Sequence, residues 1–156
     1  MATKARERVS YDSMREYMQV LDERGLLKHV TAEVDLDYEI GAISYRDLVR
    51  GGPGLLFENV KDYPGMPLVT NIMYSLDQLA IAFNGERDWA KLEERVHEGM
   101  RERLACNTVP TGPVKEVMVS GEEVDLSSLP TPLWHELDGG RYIATTAGVV
   151  TIDPKT

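Results

Sequence analysis

The sequence predicts an α/β domain followed by the beginning of a β-rich domain. Helix-like and strand-like patterns alternate over the first two thirds of the chain, and only strand and turn signals follow. Between the two regions, residues 107–113 contain two prolines and a glycine, which is typical of a hinge. We therefore expect a flexible tail over 1–10, an N-terminal α/β domain over 11–112 and a β-rich segment over 113–156.

The first two elements follow from the spacing of apolar residues. Residues 11–24 have apolar side chains at helical intervals, with Ser10 as the expected N-cap and Gly25 just past the end. The apolar face consists of Met14, Met18 and Leu21. Residues 26–35 alternate between two faces and are rich in β-branched side chains, so they predict a strand.

The next elements form a helix and two short strands. Asp37 is the expected N-cap of a helix over 38–50, which the glycines and proline at 51–54 should end. Strands are predicted at 55–57 and 68–70, because turn residues separate two short apolar runs.

Two more helices precede the hinge. Ser75 opens the first, with Gln78 in the capping-box position and Gly85 beyond its end. The second covers 88–104, where apolar residues recur at helical spacing.

After the hinge, the pattern predicts β structure. Residues 114–119 and 122–126 flank Ser120 and Gly121, which suggests a hairpin. Residues 141–152 form a nearly continuous β-prone run, which predicts one long strand.

Composition narrows the class of protein. With 42% hydrophobic and 28% charged residues, the chain resembles a globular domain that has no membrane span or secretory signal, and we expect the cytoplasm. A single cysteine, Cys106, excludes an internal disulfide framework. The net charge of −9 argues against nucleic acid and anionic membranes as partners.

Three local clusters have residues that could form a site. The glycines at 51–54 follow a helix instead of preceding one, so a turn is favoured over a phosphate loop. His97 lacks a second histidine one turn on. His135, Glu136 and Asp138 have the chemistry of a metal or acid–base site, or they form an exposed polar turn.

The aromatic and threonine residues near the end of the chain leave two interpretations open. Trp134 and Tyr142 either line a pocket or pack beneath the polar turn. Thr145 and Thr146 lie in the predicted strand, where successive side chains face opposite ways, so only one of them faces a given cavity. The residues alone predict no catalytic group.

Four stretches occur in an order that resembles the N-terminal part of the UbiD family of decarboxylases. They are EVDLDYEIGAI, GGPGLLFENVKDYPGMPLVTN, PVKEVMVSGEEVDLSSLPTP and DGGRYIATTAGVVTIDP. The resemblance covers about 11–154, and its specificity lies in the combination of GGPGLLFENVK with GGRYI and a following DP.

The resemblance implies a cofactor-dependent enzyme. Members of the family reversibly decarboxylate aromatic and α,β-unsaturated acids with prenylated FMN, Mn²⁺ and K⁺, and the modified flavin serves as an electron sink. The implied fold is an N-terminal α/β domain, a central split β-barrel that binds the flavin, and a C-terminal α/β domain. The implied assembly is a homo-oligomer, either a dimer or a hexamer.

The resemblance places few of the family's functional residues on this sequence. The metal-binding residues and the Glu-Arg-Glu proton network lie beyond the strand that ends at Asp153 and Pro154, so no catalytic, cofactor or metal residue is expected. A substrate-pocket threonine matches Thr145, and Thr146 and Ala147 are expected to border the same cavity.

We therefore expect the N-terminal part of a UbiD-like enzyme, cut before its reactive centre and inactive as an isolated piece. The alternative is a non-catalytic structural or binding subunit of a multi-chain (de)carboxylase. A third hypothesis, a metal-dependent hydrolase that uses His135 and Glu136, is disfavoured because these residues do not match the family's metal ligands.

Overall fold

The computed structural model describes residues 11, 13–101, 105 and 107–143, and these form an α/β domain followed by an extended segment. The helices and strands are, in chain order, α1 (Met14–Glu23), β1 (Leu27–Val34), α2 (Glu39–Val49), β2 (Gly54–Val60), β3 (Leu68–Thr70), α3 (Leu76–Ala82) and α4 (Trp89–Arg101). The predicted α/β class and each predicted element of the first 101 residues are confirmed, with shifts at the ends.

The three strands form one sheet in the order β1-β2-β3. Strands β1 and β2 are parallel and α2 connects them, whereas β2 and β3 are antiparallel. Phe57 in the central strand pairs with Val30 on one side and Leu68 on the other. A register shift between Val30 and Glu33 lets both ends of β1 stay paired with β2.

Each face of the sheet is covered by helices, so the sheet is the middle layer. On one face Phe57 and Ile40 of α2 are fully buried and form one core cluster. On the other face Leu27 packs with Leu21 of α1 and Ile81 of α3. The alternation predicted over 26–35 is confirmed for Leu27 and Val30, which pack into different clusters, but it is wrong for Leu26, which precedes the strand and packs in the cluster of Leu27.

The glycine and capping-box predictions are confirmed. Gly25 and Gly51 have φ of +68° and +67° and follow the ends of α1 and α2, a conformation that costs glycine little. At the start of α3, the Ser75 hydroxyl accepts from the backbone N–H of Gln78, and the side-chain oxygen of Gln78 accepts from the backbone N–H of Ser75.

Two N-cap predictions are wrong. Ser13, and not Ser10, caps α1, because its hydroxyl accepts from the amide of Glu16 at 3.2 Å. Tyr38, and not Asp37, occupies the N-cap position of α2, in a left-handed conformation with φ of +67°. The Asp37 carboxylate is engaged elsewhere, as described below.

The predicted apolar face of α1 is also partly wrong. Met14, which the prediction places on the apolar face, is 62% exposed, whereas Tyr17, which the prediction leaves out of that face, is 5% exposed. The Tyr17 and Leu21 side of α1 is the buried one, and there the Tyr17 phenol donates to the backbone carbonyls of Ile72, just after β3, and of Gln78 in α3.

The predicted hairpin over 114–126 is wrong. This region contains three short 3₁₀ turns, Pro113–Lys115, Gly121–Glu123 and Leu126–Ser128. Val114 is 87% exposed, and an apolar alternation forms a strand only where another strand and a core face it. The β-rich prediction is therefore not met over 113–143. The predicted strand beyond residue 143, the tail 1–10 and Cys106 lie outside the described residues.

Over the described ranges, none of the helices has both the length and the apolar composition that crossing a membrane requires.

Candidate functional site

The residues after the 3₁₀ turns return to the α/β domain and dock beside α2. Leu133 donates its amide to the carbonyl of Leu36 at 3.0 Å and accepts from the amide of Tyr38 at 2.9 Å. These two bonds form a parallel bridge between Asp37 and Leu133. Pro132 is less than 2% exposed, so this short stretch is an integral part of the domain's packing.

Residues 141 and 142 are attached to that stretch in turn. The Arg141 guanidinium donates to the carbonyl of Thr131 at 3.2 Å and pairs with the carboxylate of Asp37. The amide of Tyr142 donates to the carbonyl of Pro132 at 3.3 Å. We call residues 131–143 the docked segment.

A cleft of about 1070 Å³ separates the docked segment from the connection between β2 and β3. It is lined by residues 35–37, 61–64, 66, 126–129, 131 and 141–143. The Tyr63 hydroxyl donates across it to the carbonyl of Ser127 at 2.8 Å. This cleft brings charged, polar and apolar side chains from several elements together, and it is the candidate site.

Four of the five charged side chains that line the cleft form two ion pairs; the fifth is Asp62. Lys61 lies 2.7 Å from Asp35, and Arg141 pairs with Asp37. The hydrogen bond from Lys61 lowers the pKa of the Asp35 carboxyl, and Asp35 in turn raises the pKa of Lys61. Both groups therefore stay charged at neutral pH, which suits holding a structure together better than transferring protons.

The polar cluster at 135–138 forms a closed turn. The Asp138 carboxylate accepts from the amide of His135 at 2.9 Å and lies 3.4 Å from its ring nitrogen Nδ1. Glu136 does not join this contact; together with His135 it lines a pocket of about 580 Å³ beside Tyr38 and Tyr45. In the part of the chain that the structure describes, no group of three or more metal-ligating side chains is present.

The two aromatic residues that flank this turn contact each other. Trp134 donates its indole N–H to the carbonyl of Tyr142 at 2.9 Å, with ring centroids 6.2 Å apart. Trp134 also contacts the core cluster around Phe57. Trp134 therefore packs against the core and also lines the pocket beside Glu136, whereas Tyr142 lines the cleft, so both interpretations describe part of what is found.

The glycines at 51–54 serve as a helix stop and a strand start. Gly51 has the left-handed conformation of a residue after a helix, and Gly54 begins β2. The turn interpretation is confirmed over a phosphate loop.

Sequence reasoning did not find the pair between Asp37 and Arg141. These residues are 104 positions apart, and spacing rules connect only near neighbours. The sole signal was the GGRYI stretch itself, in which Arg141 stands. Thr145, Thr146 and Ala147, the predicted pocket residues, lie outside the described residues.

Two consecutive domains of one family match the chain. Residues 18–98 match the 3-octaprenyl-4-hydroxybenzoate carboxy-lyase N-terminal domain, and residues 107–156 match the Rift-related domain of the same carboxy-lyase.

Individual relatives agree with this match. A pyrrole-2-carboxylic acid decarboxylase of Pseudomonas aeruginosa is 36% identical over 84% of this chain and 29% of that protein. The chain spans about a third of the length of the curated relatives it matches, 32% and 29% for the first two.

Solved structures share the fold. An evolved dimeric form of the UbiD-class enzyme HmfF from Pelotomaculum thermopropionicum, in complex with prFMN, has a TM-score of 0.73 and 34% identity over 85% of this chain and 30% of that one. The closed form of Sedimentibacter hydroxybenzoicus vanillic acid decarboxylase, ShVdcCD, has a TM-score of 0.77 and 26% identity, over 86% and 30%. On the strength of the two matched domains and this shared fold, the chain belongs to the UbiD family and carries its N-terminal domain.

Proposed function

We propose that this chain is the N-terminal part of an enzyme that reversibly decarboxylates small aromatic or α,β-unsaturated carboxylic acids with prenylated FMN. The observation that carries the proposal is the similarity to HmfF, at 34% identity and in complex with prFMN. The similarity to pyrrole-2-carboxylic acid and vanillic acid decarboxylases supports the substrate class.

The proposed organisation has three parts. We propose an α/β domain over 11–112, preceded by a tail over 1–10, and a segment over 113–156 that leads into a split-barrel flavin domain; residues 1–10 and 144–156 lie outside the described residues. The two family matches, at 18–98 and 107–156, support a boundary close to the hinge. The exposed apolar side chains of 114–126 support it as well, because they lack a core of their own over the described residues.

The described residues do not fit the cofactors by themselves. The two basic side chains of the cleft, Lys61 and Arg141, are already paired with carboxylates, so neither is free for a flavin phosphate. No metal-ligating cluster occurs over the described ranges. We therefore propose that prenylated FMN, Mn²⁺ and K⁺ are held by residues other than the described ones, and that this 156-residue piece is inactive alone.

The proposed contribution of this chain is one wall of the substrate pocket. Thr145, Thr146 and Ala147 are its proposed residues, and the docked segment ends just before them. A further proposal is a cytoplasmic homo-oligomer, a dimer or a hexamer, for which the dimeric form of HmfF offers support.

The test compares two polypeptides that are produced together with a flavin prenyltransferase. One is the 156-residue chain, and the other extends it to the length of its relatives. We expect flavin absorbance and CO₂ release from pyrrole-2-carboxylate or vanillate with the longer polypeptide only. An extended protein that binds no flavin and releases no CO₂ from either acid contradicts the proposal, and stoichiometric flavin on the shorter one contradicts the proposed division of labour.

The alternative is a non-catalytic subunit of a multi-chain (de)carboxylase. One solved relative is the vanillic acid decarboxylase ShVdcCD of Sedimentibacter hydroxybenzoicus, in an open form with a truncated ShVdcD. A second polypeptide in that relative makes a multi-chain assembly worth testing. A stop codon directly after Thr156, with activity appearing only when a second polypeptide is added, supports this alternative. An uninterrupted reading frame of several hundred codons supports the single-chain enzyme.

A further inference from the structure

We infer that Arg141 is a positioning residue, which clamps the docked segment to the α/β domain and so sets the place where the chain after Ile143 leaves that domain. The inference rests on the proposed function, because the proposed pocket residues begin at Thr145. In this inference, the Arg141 side chain touches neither substrate nor cofactor.

The geometry of the guanidinium supports this role. One Arg141 nitrogen, Nη2, pairs with the carboxylate of Asp37, which lies between β1 and α2. The other, Nη1, donates to the carbonyl of Thr131 at the start of the docked segment. A guanidinium is planar, and its donors have fixed directions, so it holds both acceptors in one arrangement. A lysine has one ammonium group at this position and cannot reproduce that fork.

The remaining attachments of residues 141–143 do not reach the α/β domain directly. Tyr142 is bonded to the carbonyl of Pro132 and to the indole of Trp134, which belong to the docked segment itself. Among the described residues, the direct hydrogen-bonded link from 141–143 to the α/β domain is therefore the pair between Arg141 and Asp37.

The turn between the two ends of the docked segment is closed by bonds between His135 and Asp138, but Leu137 and the two glycines after the turn pack against little. Leu137 is 96% exposed, and a β-carbon built at Gly139 or Gly140 would meet no atom within 4 Å. The turn therefore does not by itself fix the direction in which residues 141–143 run. Arg141 supplies that restraint at the far end.

The exposure of the pair separates positioning from stability. The side chains of Arg141 and Asp37 are 46% and 49% exposed, and ion pairs with that much solvent contribute little to global stability. Removing Arg141 should thus leave the α/β domain folded and free only the end of the docked segment. This distinguishes a positioning residue from a residue that merely stabilises the fold.

The test uses the catalytically active polypeptide that contains this chain, with Arg141→Ala, Arg141→Lys and the control Arg87→Ala. Arg87 forms another exposed pair, with Asp77, remote from the docked segment in the sequence. Hydrogen exchange followed by mass spectrometry reports on peptides covering 131–143 and on peptides covering β2. A steady-state assay with pyrrole-2-carboxylate separates KM from kcat.

For Arg141→Ala we expect exchange of the 131–143 peptides to accelerate about tenfold, while the β2 peptides keep the parent rate. We expect KM to rise roughly fivefold to tenfold with bound flavin and kcat within about twofold of the parent. The exchange rates and KM of Arg141→Lys should lie between those of the parent and those of Arg141→Ala. Arg87→Ala should match the parent in every measurement.

Unchanged exchange in the 131–143 peptides overturns the clamp. Accelerated exchange with an unchanged KM overturns the positioning role and leaves the proposed function intact. A parent protein without flavin or CO₂ release refutes the proposed function and the link to a substrate pocket, whereas the exchange rates still decide whether Arg141 holds the segment.

Discussion

The backbone carbonyl oxygen of Trp134 lies directly over Gly41 of α2, so that a β-carbon built at Gly41 would stand 2.3 Å from that oxygen. Glycine inside a helix costs about 1 kcal/mol relative to alanine. The close approach therefore explains why a helix interior contains a glycine at this position: the docked segment requires the space.

We predict that Gly41→Ala displaces the docked segment while leaving the α/β domain folded. The added methyl group meets backbone atoms of Trp134, which cannot move without breaking the bonds at Leu133. The chain has two tryptophans, so Trp89→Phe leaves Trp134 as the single reporter. In that background we expect a red shift of tryptophan emission and stronger quenching by acrylamide.

The matched control is Gly99→Ala in α4. No atom lies within 4 Å of the added β-carbon there, so only the helix propensity changes. We expect this control to gain roughly 0.5–1 kcal/mol in the free energy of unfolding, with parent-like emission. Identical emission from Gly41→Ala and the control would show that the segment does not depend on the glycine.

We predict that Gln78→Leu destabilises the α/β domain by about 2–4 kcal/mol. The Gln78 side chain is fully buried and donates to the carbonyls of Leu26 and Asn71, at 3.3 and 2.9 Å. Its oxygen accepts from the amides of Tyr74 and Ser75. Leucine fills similar space but leaves these backbone groups without their partner.

Urea unfolding gives the measurement for Gln78→Leu, with Ser75→Ala as its control. Serine contributes only the cap hydroxyl, so its removal should cost about 1 kcal/mol. A loss for Gln78→Leu no larger than that of the control would mean that the buried amide acts as a cap and nothing more.

These two sites show how far sequence reasoning extends. The capping box of Ser75 and Gln78 was predicted, because its two residues are three positions apart and their spacing carries the signal. The bonds from Gln78 to Leu26 and Asn71 were not, because they depend on how β1, β3 and α3 meet in three dimensions. The sequence predicts the hydrogen bonds of Gln78 to its neighbours along the chain. It does not predict the hydrogen bonds of the same side chain to residues that are distant in the sequence.

The same limit explains the errors at Asp37 and in the hairpin. Aspartate ranks among the best N-caps, but here its carboxylate pairs with Arg141, and the amide of Tyr38 bonds to Leu133. The alternating residues 114–126 have β propensity, but over the described ranges no strand faces them, so they do not form a hairpin. Each error depends on a long-range partner that no local pattern reports: Asp37 has one in Arg141, and the predicted hairpin lacks one over the described ranges.

We predict that His29 makes the free energy of unfolding pH-dependent near neutrality. Its imidazole lies 2.6 Å from Glu58 and 3.4 Å from Asp22, and the hydrogen bond to Glu58, with Asp22 adding to it, raises the pKa of His29. A raised pKa means that the folded state holds the proton more tightly. The stabilisation is therefore complete below about pH 6.5 and is lost as pH rises through the folded-state pKa.

The effect should be small, below about 1 kcal/mol, because the imidazole is 40% exposed. Urea unfolding at pH 5.5 to 8.5 should show a declining free energy for the parent, and a flatter profile for His29→Gln. Glu58→Gln should weaken the slope and keep part of it, since Asp22 remains. If the free energy of unfolding declines with pH equally in all three chains, His29 does not cause the pH dependence.

We predict that Tyr17 reduces stability at alkaline pH. The phenol of Tyr17 is buried under α1 and donates to the carbonyls of Ile72 and Gln78, at 2.8 and 3.1 Å. Burial, with the neighbouring Tyr11 adding to it, raises the pKa of Tyr17 to about 12. The unfolded chain releases this proton first, so the stabilisation is complete below about pH 10 and is lost as pH rises through about 12.

Between pH 9 and 11, Tyr17 alone should account for a loss of about 1.3 kcal/mol in the free energy of unfolding. Urea titrations at pH 9, 10 and 11 measure it as the difference in slope between the parent and Tyr17→Phe. The phenylalanine chain starts less stable, because two hydrogen bonds are gone, but it should lose less with rising pH. Tyr45→Phe, which removes a phenol whose residue is 64% exposed, should keep the parent slope. A parent slope retained by Tyr17→Phe would place the alkaline sensitivity in other groups, and the packing of α1 on the sheet would then not depend on keeping that phenol protonated.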